Sequence, residues 1–205
     1  MKILIATHNK HKLGEMARIL EPMGYEVVTD TMLGFELTEV EENGETFLDN
    51  ARIKAQAGCK ESGLPCIADD SGLCVDALGG EPGVYSARYS GGHGDDEANN
   101  KKLLQKLKDI PIEKRTARFE CAICVSFPDG DEITANGTCE GLIGYEKRGE
   151  NGFGYDPLFM VGDRSFAEFS AEEKDAVSHR GNALKVLSEK FKSANVYGAD
   201  EVTGE

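Results

Sequence analysis

From Ala117 to Phe127 every second residue is apolar: Ala117, Phe119, Cys121, Ile123, Val125 and Phe127. A period of two places these side chains on one face of a β-strand. Pro128-Asp129-Gly130 then turns the chain, and a second alternating run follows around Ile133, Ala135 and Cys139. The pattern predicts a β-hairpin, and the rest of the chain must cover its apolar face. Candidate covers are plain. Lys2 to Ala6 reads as a short strand; the polar stretch Thr7-His8-Asn9-Lys10 follows; then Leu13, Met16, Ala17 and Leu20 recur at helical spacing up to Pro22 and Gly24. Tyr25 to Val28 predicts a second strand, and Phe47, Leu48, Ala51 and Ala55 one face of a second helix ending near Gly63-Leu64-Pro65. A short strand from Cys66 to Ala68 runs into Asp69-Asp70-Ser71-Gly72, and the glycine-rich stretch from Leu73 to Gly94 reads as irregular. Leu103, Leu104 and Leu107 mark a third helix. Ser170 with Glu173 resembles a capping box, and Leu184, Leu187 and Phe191 form the stripe of the final helix. Residues 194–205 lack an apolar face and are expected to fray, leaving residues 1–193 as one domain.

At 205 residues, with 40% hydrophobic and 7% aromatic residues, the chain is long enough to bury a sizeable core and too apolar to be disordered throughout. Its net charge of -14 repels nucleic-acid backbones, and no local basic stripe offsets it, so no nucleic-acid partner is expected. The apolar run Ile3 to Ala6 is too short for a signal-peptide core or a membrane span. A cytoplasmic protein with no membrane partner is the expectation. The six cysteines sit in apolar or mixed segments, as buried free thiols do. Cys121 and Cys124 are three apart on a strand, face opposite sides and cannot share one metal ion.

The loop Thr7-His8-Asn9-Lys10-His11-Lys12, where a strand meets a helix, can gather backbone N–H groups and Lys12 around phosphate oxygens, or can simply cap the helix. Asp69-Asp70 offers two carboxylates, able to hold a divalent cation and deprotonate a water; an Asx turn reads the same way. Glu39, Glu41 and Glu42 can supply a further hard-oxygen ligand or form only a solvated acidic loop. Phe153-Gly154-Tyr155-Asp156-Pro157 suits a stacking surface for a planar base, or an aromatic turn packed on the core. Lys174, Ser178, His179 and Arg180 bring donors together near a helix start.

Taken in order, Thr7-x-Asn9-x-x-Lys12, Glu45-Thr46-Phe47-x-x-Asn50-Ala51, Ala68-Asp69-Asp70-Ser71-Gly72-Leu73, Gly83-Val84-Tyr85-Ser86-Ala87-Arg88, Phe153 to Pro157 and Ser178-His179-Arg180 resemble the inosine/xanthosine triphosphate pyrophosphatase family over nearly the full length. The resemblance implies an α/β fold: a long, mixed, twisted sheet flanked by helices, in two lobes around a central cleft, as a homodimer. It implies Asp70 as proton acceptor and, with Glu41, as ligand to Mg²⁺ or Mn²⁺, with Glu42 the substitute if the register slips by one and Asp69 the reserve base. Thr7, His8, Asn9, Lys10, His11, Lys12, Lys54, Ser71 and Lys174 match positions that hold the triphosphate or the sugar. Phe153, Gly154, Tyr155 and Asp156, with His179 and Arg180, match the base-recognition segments. His11 departs from the pattern, since many members have glycine there.

The reaction so implied is hydrolysis of ITP, dITP or XTP to the monophosphate and pyrophosphate, with Arg180 and backbone N–H groups as candidate readers of the 6-oxo group. Two other readings are a pyrophosphatase for modified or pyrimidine nucleotides and a nucleotide-binding module without chemistry.

Overall fold

The long hairpin is the centre of the structure. In the computed structural model, which describes residues 1–92 and 94–194, β4 (Thr116–Ser126) pairs antiparallel with β5 (Glu132–Ile143) from Thr116↔Leu142 to Ser126↔Glu132. The turn is closed by the Gly130 N–H donating to the Phe127 carbonyl. On its other edge β4 pairs antiparallel with β3 (Cys66–Val75), from Cys66↔Ser126 to Val75↔Ala117. Beyond β3 lie β1 (Lys2–Ile5) and β2 (Glu26–Val28), both parallel to their neighbours; beyond β5 lie the short antiparallel β6 (Phe159–Val161) and β7 (Arg164–Ser165). The result is a seven-stranded mixed sheet in the order β2-β1-β3-β4-β5-β6-β7.

Helices cover both faces. On one side, α1 (Lys10–Leu20) and α5 (His179–Ser193) bury Met16, Leu20, Leu184, Leu187 and Phe191 against Ile67, Cys121, Ile123 and Val125. On the other, α2 (Phe47–Ser62) sets Ala51, Ala55 and Cys59 against Cys66, Ala68 and Cys124. Cys121 and Cys124 thus belong to opposite faces, as strand alternation requires. A third cluster joins Leu73, Val75, Phe119, Phe159, Phe166 and Leu103 of α3 (Asp96–Lys106) at the far end of the sheet. Each fully buried leucine or phenylalanine contributes roughly 1.5–3 kcal/mol of transfer free energy.

Four expectations need correction. The strand expected to end at Ala68 runs on to Val75, because β4 supplies a pairing partner along its whole length; Asp69 and Asp70 therefore lie within a strand, not in a turn after it. Tyr25 is a core residue before β2, packed near Phe191 with ring centroids 5.5 Å apart. Beyond Val75, the segment thought irregular contains short 3-10 turns at Asp76–Leu78 and Gly83–Arg88, the second tied down where Leu73 N–H donates to Ser86 Oγ. The final helix is two helices: the Ser170–Glu173 capping box starts α4 (Ala171–Val177), and Ser178 in extended conformation ends it and caps α5 by accepting from Gly181 N–H. The frayed tail expected over 194–205 lies, from residue 195 onward, outside the described residues.

Candidate active site

A cleft of about 630 Å³ opens between the start of α1, the acidic segment before α2, the middle of β3, the 153–156 turn and the start of α5. Of the residues singled out from the sequence, Thr7, His8, Asn9, Lys12, Glu39, Glu41, Glu42, Lys54, Asp70, Ser71, Phe153 to Asp156, Lys174, His179 and Arg180 line it; Lys10, His11 and Asp69 do not.

The first wall is a capped helix start. Asn9 Oδ1 accepts from His11 N–H (2.9 Å) and Lys12 N–H (3.1 Å), and Thr7 Oγ1 accepts from Asn9 N–H. Two of the backbone donors that a phosphate would seek are therefore taken by the cap. Lys12 reaches inward, its Nζ 3.3 Å from Asp69 Oδ2.

Strand alternation separates the two aspartates, since neighbours on β3 point to opposite faces. Asp70 faces α2. Its Oδ2 accepts from Asn50 Nδ2 (3.0 Å), its Oδ1 accepts from Ser71 N–H (2.9 Å), and Lys54 Nζ lies 3.9 Å from Oδ1. Burial raises the Asp70 pKa, and the charges of Lys54 and Lys12 and the Asn50 hydrogen bond only partly offset that. Asp69 faces α1 and α5. Burial works to raise its pKa too, but Arg180, Lys12 and Lys54 outweigh it and hold the carboxyl well below its ordinary range. The environment therefore divides the labour: Asp69 is a fixed anion and Asp70 a carboxylate with appreciable proton affinity.

Asn50 also organises the acidic segment, because its Oδ1 accepts from Gly44 N–H (2.8 Å) while its amide holds Asp70. A Cβ on Gly44 would stand 2.5 Å from Asp49 Cβ and 2.7 Å from Asn50 Oδ1, so only glycine allows this approach. Glu42 pairs with Lys54 at 2.9 Å. The Glu41 carboxylate has no hydrogen-bond or ion-pair partner among the described residues, and no group of three or more His, Cys, Asp or Glu side chains gathers there as a closed metal site.

Beneath the cleft runs a buried ion network. Arg180 donates Nε and Nη2 to Asp69 Oδ2, a further Nη2 bond to Ser71 Oγ (2.9 Å), and an Nη1 bond to Glu15. Glu15 also accepts from Lys174 Nζ (2.8 Å), which in turn donates to Asp156 Oδ2 (2.6 Å); Asp156 Oδ2 accepts from Phe153 N–H as well. The network ties α1, β3, α5 and the 153–156 turn together. Burial alone would lower the Lys174 pKa; Asp156 and Glu15 reverse that and keep it charged. His179 is different: burial, Arg180 and Lys174 push its pKa well below the usual value, leaving a neutral imidazole stacked on Phe119 at 4.7 Å, with its Nδ1 buried and unpartnered. Tyr155 turns into the core and donates its hydroxyl to the Ser86 carbonyl.

Sequence reasoning missed Glu15 and Asn50. Glu15 sits beside Met16 on the apolar stripe of α1 and carried no signal of its own. Asn50 falls within the Glu45–Ala51 motif, but its bond to Asp70, 20 positions on, carries no local signal.

The description "Ham1 family" belongs to the family model that matches residues 3–190. A protein of Desulforamulus reducens named dITP/XTP pyrophosphatase is 53% identical over 192 residues, covering 92% of this chain and 94% of that one. A Bacillus subtilis protein of the same name is 52% identical over 187 residues, covering 90% and 94%. The solved Ham1 protein of Staphylococcus aureus superimposes with a TM-score of 0.82 at 42% identity, covering 95% of this chain and all of the other. A family-model match along nearly the whole chain, with close relatives and a shared fold, has one reading: this chain belongs to the Ham1 family.

Proposed function

We propose that the chain hydrolyses non-standard purine nucleoside triphosphates, ITP, dITP and XTP, to the monophosphate and pyrophosphate. The observation that carries this reading is one cleft with the Asp70 carboxylate, three lysines (Lys12, Lys54 and Lys174) and a half-buried aromatic turn on its walls. The names of the related proteins support it.

Asp70 takes the proton of a water as its oxygen bonds to the α-phosphorus and the bond to the bridging oxygen breaks, releasing pyrophosphate. Asn50 and Ser71 N–H fix the carboxylate for that step. With the protein's net charge at -14, attraction of a triphosphate has to be local, and Lys12 and Lys54 supply it. Asp70 and the unpaired Glu41 fit a magnesium or manganese ion, because Mg²⁺ takes one or two protein carboxylates and fills its other positions with water and phosphate oxygens. Such an ion, when bound, neutralises triphosphate charge and eases departure of the pyrophosphate.

Base selection falls mainly to His179. Four bonds already engage the five N–H donors of Arg180, so it has one left to offer. His179 lines the cleft as a neutral imidazole, and an N–H of that ring suits the 6-oxo group of hypoxanthine or xanthine. Facing the 6-amino group of adenine it would be left unpaired, at a cost of about 1–3 kcal/mol.

The test is incubation with ITP, dITP, XTP, GTP and ATP in ¹⁸O-water, with and without Mg²⁺. Label in the monophosphate and pyrophosphate as co-product are expected for ITP and XTP. Orthophosphate as the first product, or equal turnover of ATP, overturns the reading.

A further inference from the structure

His11 stands outside the cleft, on the exposed first turn of α1, yet its ring is not idle: it lies 5.1 Å from the Phe153 ring, with 15° between the planes. Phe153, by contrast, does line the cleft. The two rings come from elements about 140 positions apart in sequence. Both backbones are fixed at this point, His11 N–H by Asn9 Oδ1 and Phe153 N–H by Asp156 Oδ2. The Phe153 side chain has less support. Its residue sits between Gly152 and Gly154, both at positive φ (73° and 61°), and its ring is contacted by the Lys174 ammonium at 4.8 Å and by the His11 imidazole. A ring on a glycine-flanked turn keeps its rotamer only if something packs beside it. An offset, nearly parallel stack does this while leaving the cleft side open.

We propose that His11 is a positioning residue for base recognition: its imidazole braces Phe153 from outside the cleft, so that the phenyl ring is presented to the nucleobase in one orientation. The proposal rests on the nucleotide reading of the cleft. It gives the side chain at position 11 a role that a glycine there cannot fill, and it touches the base end of the substrate without touching the phosphates.

The experiment compares wild type, His11→Ala, His11→Phe, Phe153→Ala and the His11→Ala/Phe153→Ala double variant in pyrophosphate release from ITP, with inorganic tripolyphosphate as a base-less competitor. His11→Ala is expected to raise KM for ITP about two- to tenfold, the range of one aromatic stack, with kcat nearly unchanged. The tripolyphosphate Ki should not move, His11→Phe should restore the KM, and His11→Ala should add nothing once Phe153 is gone. An unchanged KM overturns the proposal, as does a fall in KM, which would mean that the imidazole blocks the base. An equal rise in the tripolyphosphate Ki overturns it too. The stack is also read without turnover: the His11 ring protons should resonate upfield of their position in Phe153→Ala, and equal shifts in the two proteins reject the contact. If wild type releases no pyrophosphate from ITP while that upfield shift is present, the nucleotide reading fails and the role in base recognition falls with it, but the brace itself stands.

Discussion

Arg180 gives two N–H groups to one oxygen of Asp69, Nε at 3.1 Å and Nη2 at 2.8 Å from Oδ2, with both side chains only 1% exposed. A charge-assisted pair so well buried is strong against loss of either partner, because the survivor is left charged in the interior. It also takes Asp69 out of competition with Asp70 for the proton-acceptor role proposed for the latter.

The first prediction separates these two neighbours. Asp70→Asn should lower kcat for ITP by about 10²–10⁴ with a smaller effect on thermal unfolding, because the near-isosteric amide keeps the side chain's shape and loses the carboxylate's proton affinity and charge. Asp69→Asn should instead lower the unfolding midpoint, because it takes away the carboxylate that Arg180 and Lys12 share and leaves Arg180 with the Glu15 carboxylate alone among the described residues. Calorimetry and steady-state kinetics on the two variants decide it; a stable, inactive Asp69→Asn would reverse the roles.

Glu15 makes stability depend on pH. Burial raises its pKa, but Arg180 and Lys174 together bring it below the ordinary 4.5. The unfolded chain therefore binds this proton more readily than the folded one. The stabilisation is complete above the ordinary carboxylate pKa and is lost as pH falls through the lower folded value. Urea midpoints measured from pH 7 down to pH 3 should fall less steeply for Glu15→Gln than for wild type. At pH 7 the variant should be less stable by about 3 kcal/mol, the lower end for breaking a buried pair, since Lys174 and Arg180 each keep a second carboxylate.

Glu41 and Glu42 differ in what already occupies them. Glu42 holds Lys54, whereas Glu41 has no partner among the described residues. Glu41→Gln should raise the Mg²⁺ concentration needed for half-maximal activity by about tenfold or more, and Glu42→Gln should act mainly on KM by freeing Lys54. Direct titration with Mn²⁺ by paramagnetic resonance should rank the variants in the same order. Equal Mn²⁺ affinities would exclude Glu41 as the ligand.

Gly44→Ala tests the Asn50 link. The added methyl must push the segment away from Asn50, whose side chain also orients Asp70. We expect kcat to drop about tenfold or more, since small misplacements of a catalytic group are costly. The unfolding midpoint should change by only a few degrees, as the segment is at the surface. Wild-type kcat would show that Gly44 does not set the Asp70 geometry.

The sequence made the hairpin, the α2 and α3 helices and most of the cleft residues legible, because alternation, helical spacing and polar segments at element ends are local signals. It did not show that β3 continues through Asp69 and Asp70, since two acidic residues and a glycine look like a turn until β4 is laid beside them. Glu15 was invisible for a similar reason: a carboxylate on an apolar stripe makes sense only once Lys174 and Arg180, 159 and 165 positions away, are known to meet it. The expectation for Lys174 as a phosphate holder also changes in emphasis, because its ammonium is already shared between two carboxylates.

Because Asp69 and Asp70 are adjacent on one strand, the alignment of β3 with β4 decides which of them looks into the cleft. A shift of one residue would trade the locked anion for the proton acceptor and strand Arg180 opposite the wrong carboxylate. The ten rungs between these strands thus guard the enzyme's reactivity as much as its shape, and a one-residue insertion between Cys66 and Asp69 that kept the pairing upstream would turn the wrong aspartate to the cleft without replacing any residue of the pocket.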